Sequence, residues 1–581
     1  MRRWLAPVAA PVAALCAGAL AWWGIGALAS VADPARVVVA DAVAGLRTAD
    51  SVPGGERAVG GEASRGREVS AVTAPAGVGP GSESFPRIAV TPARPTWRPS
   101  EAESAAALAD ARALPLKEAA GRVIVAAWSG GDAAGLASLV DRLSLGGVIL
   151  MGSHGDAAQV ESLAAAATGA TDRDWGTIVG VDEEGGTVSR MAGVVPTLPG
   201  FMSAGAARDA DVVTEAYRAQ GASLAGLGVT MNFAPVADVT VGAADPVIRS
   251  RSAGDEPADV SATVDAAIEG YVDAGVVPVV KHFPGHGSVT TDSHHALPVQ
   301  AASIEALRTR DLAPFQDAID TGAPAVMMGH VAVEAWGGEP ASLDPDAYAY
   351  LRDEMGFTGL AVTDALNMGA VAGDAGAVAV AALAAGADVL LMPTDPAAAR
   401  DAIVDAVRDG SVPRARLDEA VSRVILAGRW QASLDGVESE AADGGKGGDA
   451  AAAARELAVA GASLAARDCD AVVVGDAVSL TGGTADDRAL LAAALERRGV
   501  TVGSGGTRVQ LLGSDTGSGD ADVVVALAGP WGLEGSRADA YLGLYGRSAP
   551  SMAALADILT GDATAGGEWP VALDLPAPDC A

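Results

Sequence analysis

The chain has 581 residues, half of them hydrophobic, so it can bury a sizeable core and is not disordered throughout. Its 73 acidic and 39 basic side chains give a formal net charge of −34, which argues against nucleic acid or an anionic membrane surface as a partner, since phosphates demand a basic footprint. Aromatics make up only 4%, so the core must come from Ala, Val, Leu and Ile.

Arg2 and Arg3 precede an apolar run from Trp4 to about Val31 that carries no charge. That run is longer than the apolar stretch of a usual signal peptide and is enough to span a bilayer. The Arg pair favours a cytoplasmic start, and Ala27-Leu28-Ala29-Ser30 looks like a cleavage site. Residues 1–31 are therefore expected to be a signal peptide or a signal-anchor, with the rest exported, either extracellular or membrane-anchored facing the cell wall. Leu15 before Cys16 argues against lipoprotein processing. Residues 32–110, rich in Gly, Pro, Ser and Ala without apolar period, are expected to form a disordered linker. A second linker is expected at 434–450, around Gly-Gly-Lys-Gly-Gly. Three cysteines, Cys16, Cys469 and Cys580, make neither a metal set nor a disulfide framework. Cys469 and Cys580 would pair in an exported domain or else stay as thiols.

Between the linkers, residues 111–433 alternate short apolar runs with Ala-rich helical stretches. Strands are expected at 122–127, 147–151, 177–181, 229–233, 276–280, 325–328, 360–363 and 389–392, each apolar along its length as in a sheet covered on both faces. Helices are expected at 211–227, 258–274 and 375–385 among others. Such a chain is α/β, and a (β/α)8 barrel is favoured over a doubly wound sheet because polar residues cluster after strand ends. Residues 451–581 alternate again, with strands expected at 471–474, 500–502, 509–512 and 522–527 and helices at 487–498 and 551–559. This is a smaller C-terminal α/β domain.

Four of the six histidines fall between His282 and His295, in a segment that opens with Lys281, one of only three lysines. The segment starts at the end of the fifth strand, the catalytic face of a parallel barrel. A metal site would place its ligands at helical or hairpin spacing; Pro284, Gly285 and Gly287 make an irregular loop instead, so no metal or other cofactor is expected. Asp292 and His294 stand two apart, where a carboxylate can fix an imidazole's tautomer and leave its other nitrogen for proton transfer. Asp182 follows the third strand and Asp364 the seventh. A lone strand-end Asp is as readily a helix N-cap, but convergence of these ends with Lys281 and His282 points to a site. Arg251, after the fourth strand, is either part of that mouth or an exposed arginine.

These residues carry a family resemblance. The chain resembles the glycoside hydrolase family 3 β-N-acetylglucosaminidases, exo-acting enzymes of bacterial cell-wall recycling, in their two-domain form, over about residues 115–575. Lys281–Pro298 resembles the family's KHFPGHG…DSH loop, Asp182–Arg190 its D-x-EGG-x-V-x-R, and Asp364–Met368 its TDALNM motif. Tyr545-Gly546-Arg547 and the run to Pro570-Val571 resemble the second domain. The resemblance implies Asp364 as nucleophile and His294 as general acid/base assisted by Asp292. It implies Asp182, Arg190, Arg251, Lys281 and His282 as sugar-binding residues. The chain departs from the family pattern at Ser288, where many members have Asp, at the extra His295, and at Gly329 before His330.

The function implied is retaining hydrolysis of terminal GlcNAc from peptidoglycan fragments through a glycosyl-enzyme. The partner is then a carbohydrate substrate, with membrane contact only through the N-terminal segment, and a monomer is expected. Phosphate is expected to compete to some extent with water, because an imidazole repels anions less than a carboxylate does. Other readings stay open: a family 3 hydrolase of other β-glycosides such as chitooligosaccharides or glucosides, or a non-catalytic lectin-like wall-binding protein.

Overall fold

Eight short parallel strands order the larger domain: β1 (Ile124–Ser129), β2 (Gly147–Met151), β3 (Ile178–Val181), β4 (Met231–Asn232), β5 (Val277–Phe283), β6 (Ala325–Met328), β7 (Leu360–Thr363) and β8 (Leu390–Leu391). The computed structural model describes residues 96–581 apart from 172, 174, 435–447, 468–473, 577–579 and 581. Each strand lies beside its successor from β1 to β7, and β8 pairs with β1. A parallel bridge between Val362 and Val389, with the Thr363 N–H donating to the Val389 carbonyl at 2.9 Å, joins β7 to the start of β8 and closes the barrel. The favoured (β/α)8 architecture is the one adopted, with helices such as Ala210–Gly226, Pro257–Asp273 and Ala375–Ala385 between strands. The core is built mainly from Ala, Val and Leu, as a sequence poor in aromatics requires.

Strand bounds shift where irregular backbone takes over. The fifth strand does not stop at Val280 but runs on to Phe283, so Lys281 and His282 lie inside it. The Lys281 carbonyl accepts from the Ala237 N–H at 2.7 Å, and a register shift between Val280 and Phe283 lets the strand continue beside β6. The fourth strand shrinks to Met231–Asn232.

The linker expected at 32–110 does not include 101–110, and residues 32–95 lie outside the described residues. Residues 101–110 belong to a helix, Glu101–Ala113, started by a capping box in which Ser100 and Glu103 satisfy each other's backbone N–H groups. Its Ala107 and Ala111, four apart, are buried. Just before it, Trp97 packs edge-on against Trp430 with ring centroids 5.5 Å apart. An Ala-rich helix hides its apolar face from any hydropathy period, which is why composition mistook it for spacer. The export segment expected at 1–31 lies outside the described residues, and among the described residues no helix is long and apolar enough to cross a membrane.

The C-terminal domain begins with the helix Gly448–Ala460, where the sequence suggested linker up to 450. Its sheet runs β9 (Ser463–Ala466), β10 (Ala477–Gly482), β11 (Thr501–Val502), β12 (Thr507–Leu512), β13 (Val523–Ala526) and β14 (Ala540–Gly543), in the order β9-β14-β13-β12-β10-β11. Only the β9–β14 pair is antiparallel. Most of the strand expected at 471–474 lies outside the described residues; Val474 is not in a strand, and β10 runs from Ala477. Cys580 is disulfide-bonded, and the chain's other two cysteines lie outside the described residues.

Candidate active site

Aspartates are abundant near the strand ends, and most of them start helices. Asp132, Asp156, Asp209, Asp344, Asp374 and Asp395 each accept a backbone N–H at a helix N-terminus, an arrangement worth about 1 kcal/mol apiece. Asp182 and Asp364 cap no helix among the described residues. Their carboxylates are free for other work.

Asp182 leads into one connected charge network. The Lys281 ammonium donates to Asp182 Oδ1 at 2.9 Å and sits 2.6 Å from Glu184 Oε1. Arg251 grips Glu184 with both arms of its fork, Nε and Nη2 each at 2.8 Å, the bidentate geometry that a planar guanidinium favours. Burial opposes ionisation of Glu184, but Arg251 and Lys281 outweigh it and hold the carboxyl far below its usual range. Burial likewise works against the Lys281 charge, yet Asp182 and Glu184 raise its proton affinity above that of an ordinary lysine.

His282 continues the network. Its Nδ1 lies 2.6 Å from Asp238 Oδ2 and its Nε2 3.4 Å from Arg251 Nη2. A guanidinium has no lone pair to offer, so Nε2 accepts from Arg251 and the proton resides on Nδ1, donated to Asp238. The other Asp238 oxygen accepts from the backbone N–H of His286 at 2.6 Å. Asp238 therefore fixes both ends of the Lys281–Gly287 turn. That turn needs its glycine: a Cβ at Gly287 would sit 2.5 Å from the Val239 carbonyl oxygen.

Asp364 directly follows β7 and is partly exposed at the mouth. Burial pushes its carboxyl up, but the fields of His330 and His282, the Ala365 N–H at 2.7 Å and Lys281 together hold it below the usual carboxylate value. His330 is fully buried beside it; its Nε2 donates to the Ala365 carbonyl at 3.0 Å, so its Nδ1, 2.7 Å from Ser342 Oγ, accepts. Burial lowers the proton affinity of His330 accordingly.

Asp292 and His294 form the expected pair. Asp292 Oδ1 lies 2.8 Å from His294 Nδ1 and also accepts the His294 backbone N–H at 2.9 Å. The loop carrying them docks on the segment after Asp364: the Ala370 N–H donates to the Ser293 carbonyl at 3.2 Å and the Gly369 N–H to the His294 carbonyl at 3.3 Å. The His294 side chain itself is 56% exposed, so its outer nitrogen is open to a bound molecule. His295 reaches the second Asp292 oxygen only at 3.8 Å.

Of the residues picked out in sequence, Asp182, Arg251, Lys281 and His282 share one network, and Asp364 lies within its field. Arg190 stands apart: its backbone N–H donates to the Asp182 carbonyl at 3.2 Å, and its exposed side chain makes no hydrogen bond or ion pair with the described residues. Sequence reasoning missed Glu184, Asp238 and His330 as parts of the site. Glu184 sits inside the motif already singled out, and Asp238 is another Asp beyond a strand end. His330 stood out in sequence only as a position of the family pattern, after Gly329, with no role assigned to it.

Comparison with known proteins agrees with this geometry. Residues 122–427 match the glycosyl hydrolase family 3 N-terminal domain. The β-hexosaminidase LpqI of Mycobacterium tuberculosis is 37% identical over 305 residues, covering 50% of this chain and 78% of that protein. A family 3 β-N-acetylglucosaminidase from Paenibacillus sp. FPU-7 superposes with a TM-score of 0.69 at 27% identity, over 80% of this chain and 100% of the other. A family 3 glycosyl hydrolase of Mycobacterium smegmatis, 35% identical with a TM-score of 0.51, covers only 55% of this chain but 98% of its own. The chain therefore belongs to glycosyl hydrolase family 3, and it is a glycoside hydrolase.

Proposed function

We propose that the protein is an exo-acting, retaining β-N-acetylglucosaminidase that removes terminal GlcNAc from peptidoglycan fragments. The observation that carries this reading is the pairing of an ionised carboxylate, Asp364, with an Asp292–His294 dyad on a loop docked to the segment after Asp364. Retaining hydrolysis needs a nucleophile on one face of the anomeric carbon and a proton donor at the leaving oxygen. Asp364, already deprotonated, attacks to give a glycosyl-enzyme. His294 protonates the departing sugar oxygen, then takes a proton from the incoming water, while Asp292 stabilises the imidazolium. Asp182, Lys281, His282, Arg251 and Arg190 hold the sugar hydroxyls and acetamido group. The names of the relatives, a β-hexosaminidase and a β-N-acetylglucosaminidase, support the sugar assigned. Export and a wall-facing location complete the proposal and rest on the apolar run at 4–31.

The test is release of p-nitrophenol by the full chain from the β-N-acetylglucosaminide and the β-glucoside in parallel. Turnover of the acetamido sugar alone is expected, followed by release of GlcNAc from muropeptides. Preferential glucoside turnover would overturn the sugar assignment, and silence on both by folded protein would overturn catalysis.

A further inference from the structure

The arginine that grips Glu184 lies on a turn held from the other domain. Arg249, Ser250 and Arg251 form a single helical turn beyond β4. Arg249 adopts a left-handed backbone, φ 47°, which a residue with a Cβ keeps only when its surroundings enforce it. Within the barrel domain Asp245 supplies part of that force. Its Oδ2 accepts the Arg249 backbone N–H at 2.9 Å, and its carbonyl accepts Arg249 Nε at 2.7 Å. A further restraint comes from Asp515, in the loop after β12, whose Oδ2 lies 3.0 Å from Arg249 Nη1.

Asp515 is itself anchored in its own domain. Its Oδ1 accepts the Gly529 N–H at 2.5 Å and its carbonyl the Gly532 N–H at 2.8 Å. A second inter-domain contact lies beside the turn, at Gly200. The Tyr545 carbonyl accepts the Gly200 N–H at 2.7 Å, and Gly200 is wedged so tightly that a Cβ there would lie 3.0 Å from that oxygen and 3.1 Å from the Ser250 carbonyl oxygen. One side of the turn thus meets the C-terminal domain directly, through Arg249, and the other lies against Gly200, which Tyr545 of that domain holds.

We propose that the C-terminal domain sets the geometry of the sugar site through this turn: Asp515 is a positioning residue that, by holding Arg249, aims Arg251 at Glu184 and His282. The inference rests on the sugar-binding reading of Arg251 given above. A fork that must meet Glu184 with two bonds and His282 with a third tolerates little rotation of its backbone. The Mycobacterium smegmatis relative matches only 55% of this chain. The second domain's contribution here is to ground-state binding of the sugar.

Steady-state kinetics of the full chain on p-nitrophenyl β-N-acetylglucosaminide test this, with Asp515→Ala, Asp515→Glu, Arg251→Ala and the double variant Asp515→Ala/Arg251→Ala. Asp515→Ala is expected to raise KM about fivefold or more with kcat within about twofold, the pattern of lost uniform binding. Asp515→Glu, which keeps the carboxylate, is expected to recover most of that loss. In the double variant the Asp515 change should add nothing to Arg251→Ala, since residues acting through one contact are not additive. A wild-type KM in folded Asp515→Ala, or a KM effect that multiplies undiminished on the Arg251→Ala background, would overturn the proposal. Should Asp515→Ala fail to fold, Arg249→Gln reads the same contact from the barrel side with the same outcomes. An inactive wild-type chain would instead count against the function proposed above, so the two failures are distinguishable.

Discussion

The two ends of the barrel each bury a carboxylate among cations, and they use it differently. At the end where the strands start, Asp388 meets Arg352 at 2.6 Å, Arg416 at 2.9 Å and Arg423 at 3.0 Å, and accepts the Ala361 N–H at 3.0 Å. Every group there is committed: the arginines tie the helix Arg414–Leu434 to the root of β7, and Arg416 also donates to the Gly386 and Ala387 carbonyls. A groove of about 900 Å³ opens beside this cluster, but three of the four arginines lining it, Arg352, Arg416 and Arg423, are already committed to Asp388. At the mouth, Glu184 is as deeply buried, yet its cation Lys281 leads on to two partly exposed carboxylates, binding Asp182 and acting on Asp364. A closed network contributes stability, and a network left open at one edge can bind and react. Concavity alone does not distinguish them.

The contrast can be broken most sharply at Asp364. Asp364→Asn is expected to lower kcat by about three orders of magnitude or more, as for loss of a covalent nucleophile, with melting temperature and sugar affinity near wild type. Turnover like that of wild type would show that another group attacks.

Asp388→Asn should give the opposite pattern. It leaves three half-buried guanidinium groups short of their anion, so stability by chemical denaturation is expected to fall by about 3 kcal/mol, with activity per folded molecule unchanged. A large fall in kcat/KM without loss of stability would merge the two ends into one functional network.

His294→Ala sharpens the division of labour within the mouth. Removal of a general acid is expected to slow glycosides with poor leaving groups about a hundredfold more than activated aryl glycosides. Equal losses on both would assign the proton to a different residue.

Glu183 combines both behaviours. It is buried beneath the mouth, accepting from the Ser189 hydroxyl at 2.6 Å and the Met191 N–H at 2.8 Å, and burial pushes its carboxyl up to about 7. The folded protein keeps this proton where the unfolded chain, near 4.5, has lost it. Its contribution to stability is therefore full below pH 4.5 and is lost as pH rises through about 7, by at most about 3 kcal/mol. Glu183→Gln should flatten the fall in melting temperature between about pH 5 and pH 8; an unchanged slope would place the titration elsewhere.

Much of this was legible in sequence, for reasons visible in particular segments. The eight barrel strands are apolar on both faces, so short runs such as Gly147–Met151, Ala325–Met328 and Leu360–Thr363 stand out without any partner in view. The Asp292–His294 pair was readable because two residues of separation suffice to close it. The helix Glu101–Ala113 was not, because an alanine-rich helix reveals which side it buries only once Arg414–Leu434 packs against it. Glu184 looked like one more acid in a run of three until Lys281 and Arg251, nearly a hundred and about seventy residues away, converged on it.

By itself, then, the sequence determined the order of strands and helices, the family, and which strand ends carry the chemistry, because those follow from local periodicity and short motifs. Tertiary structure alone decided which strand-end aspartates cap helices and which stay free, how Asp238 and His330 set the tautomers and fields around Asp364, and that Asp515 reaches Arg249 from the second domain. Those outcomes depend on distances between groups far apart in the chain, where the energy of a charge is set by what surrounds it and not by its neighbours in sequence.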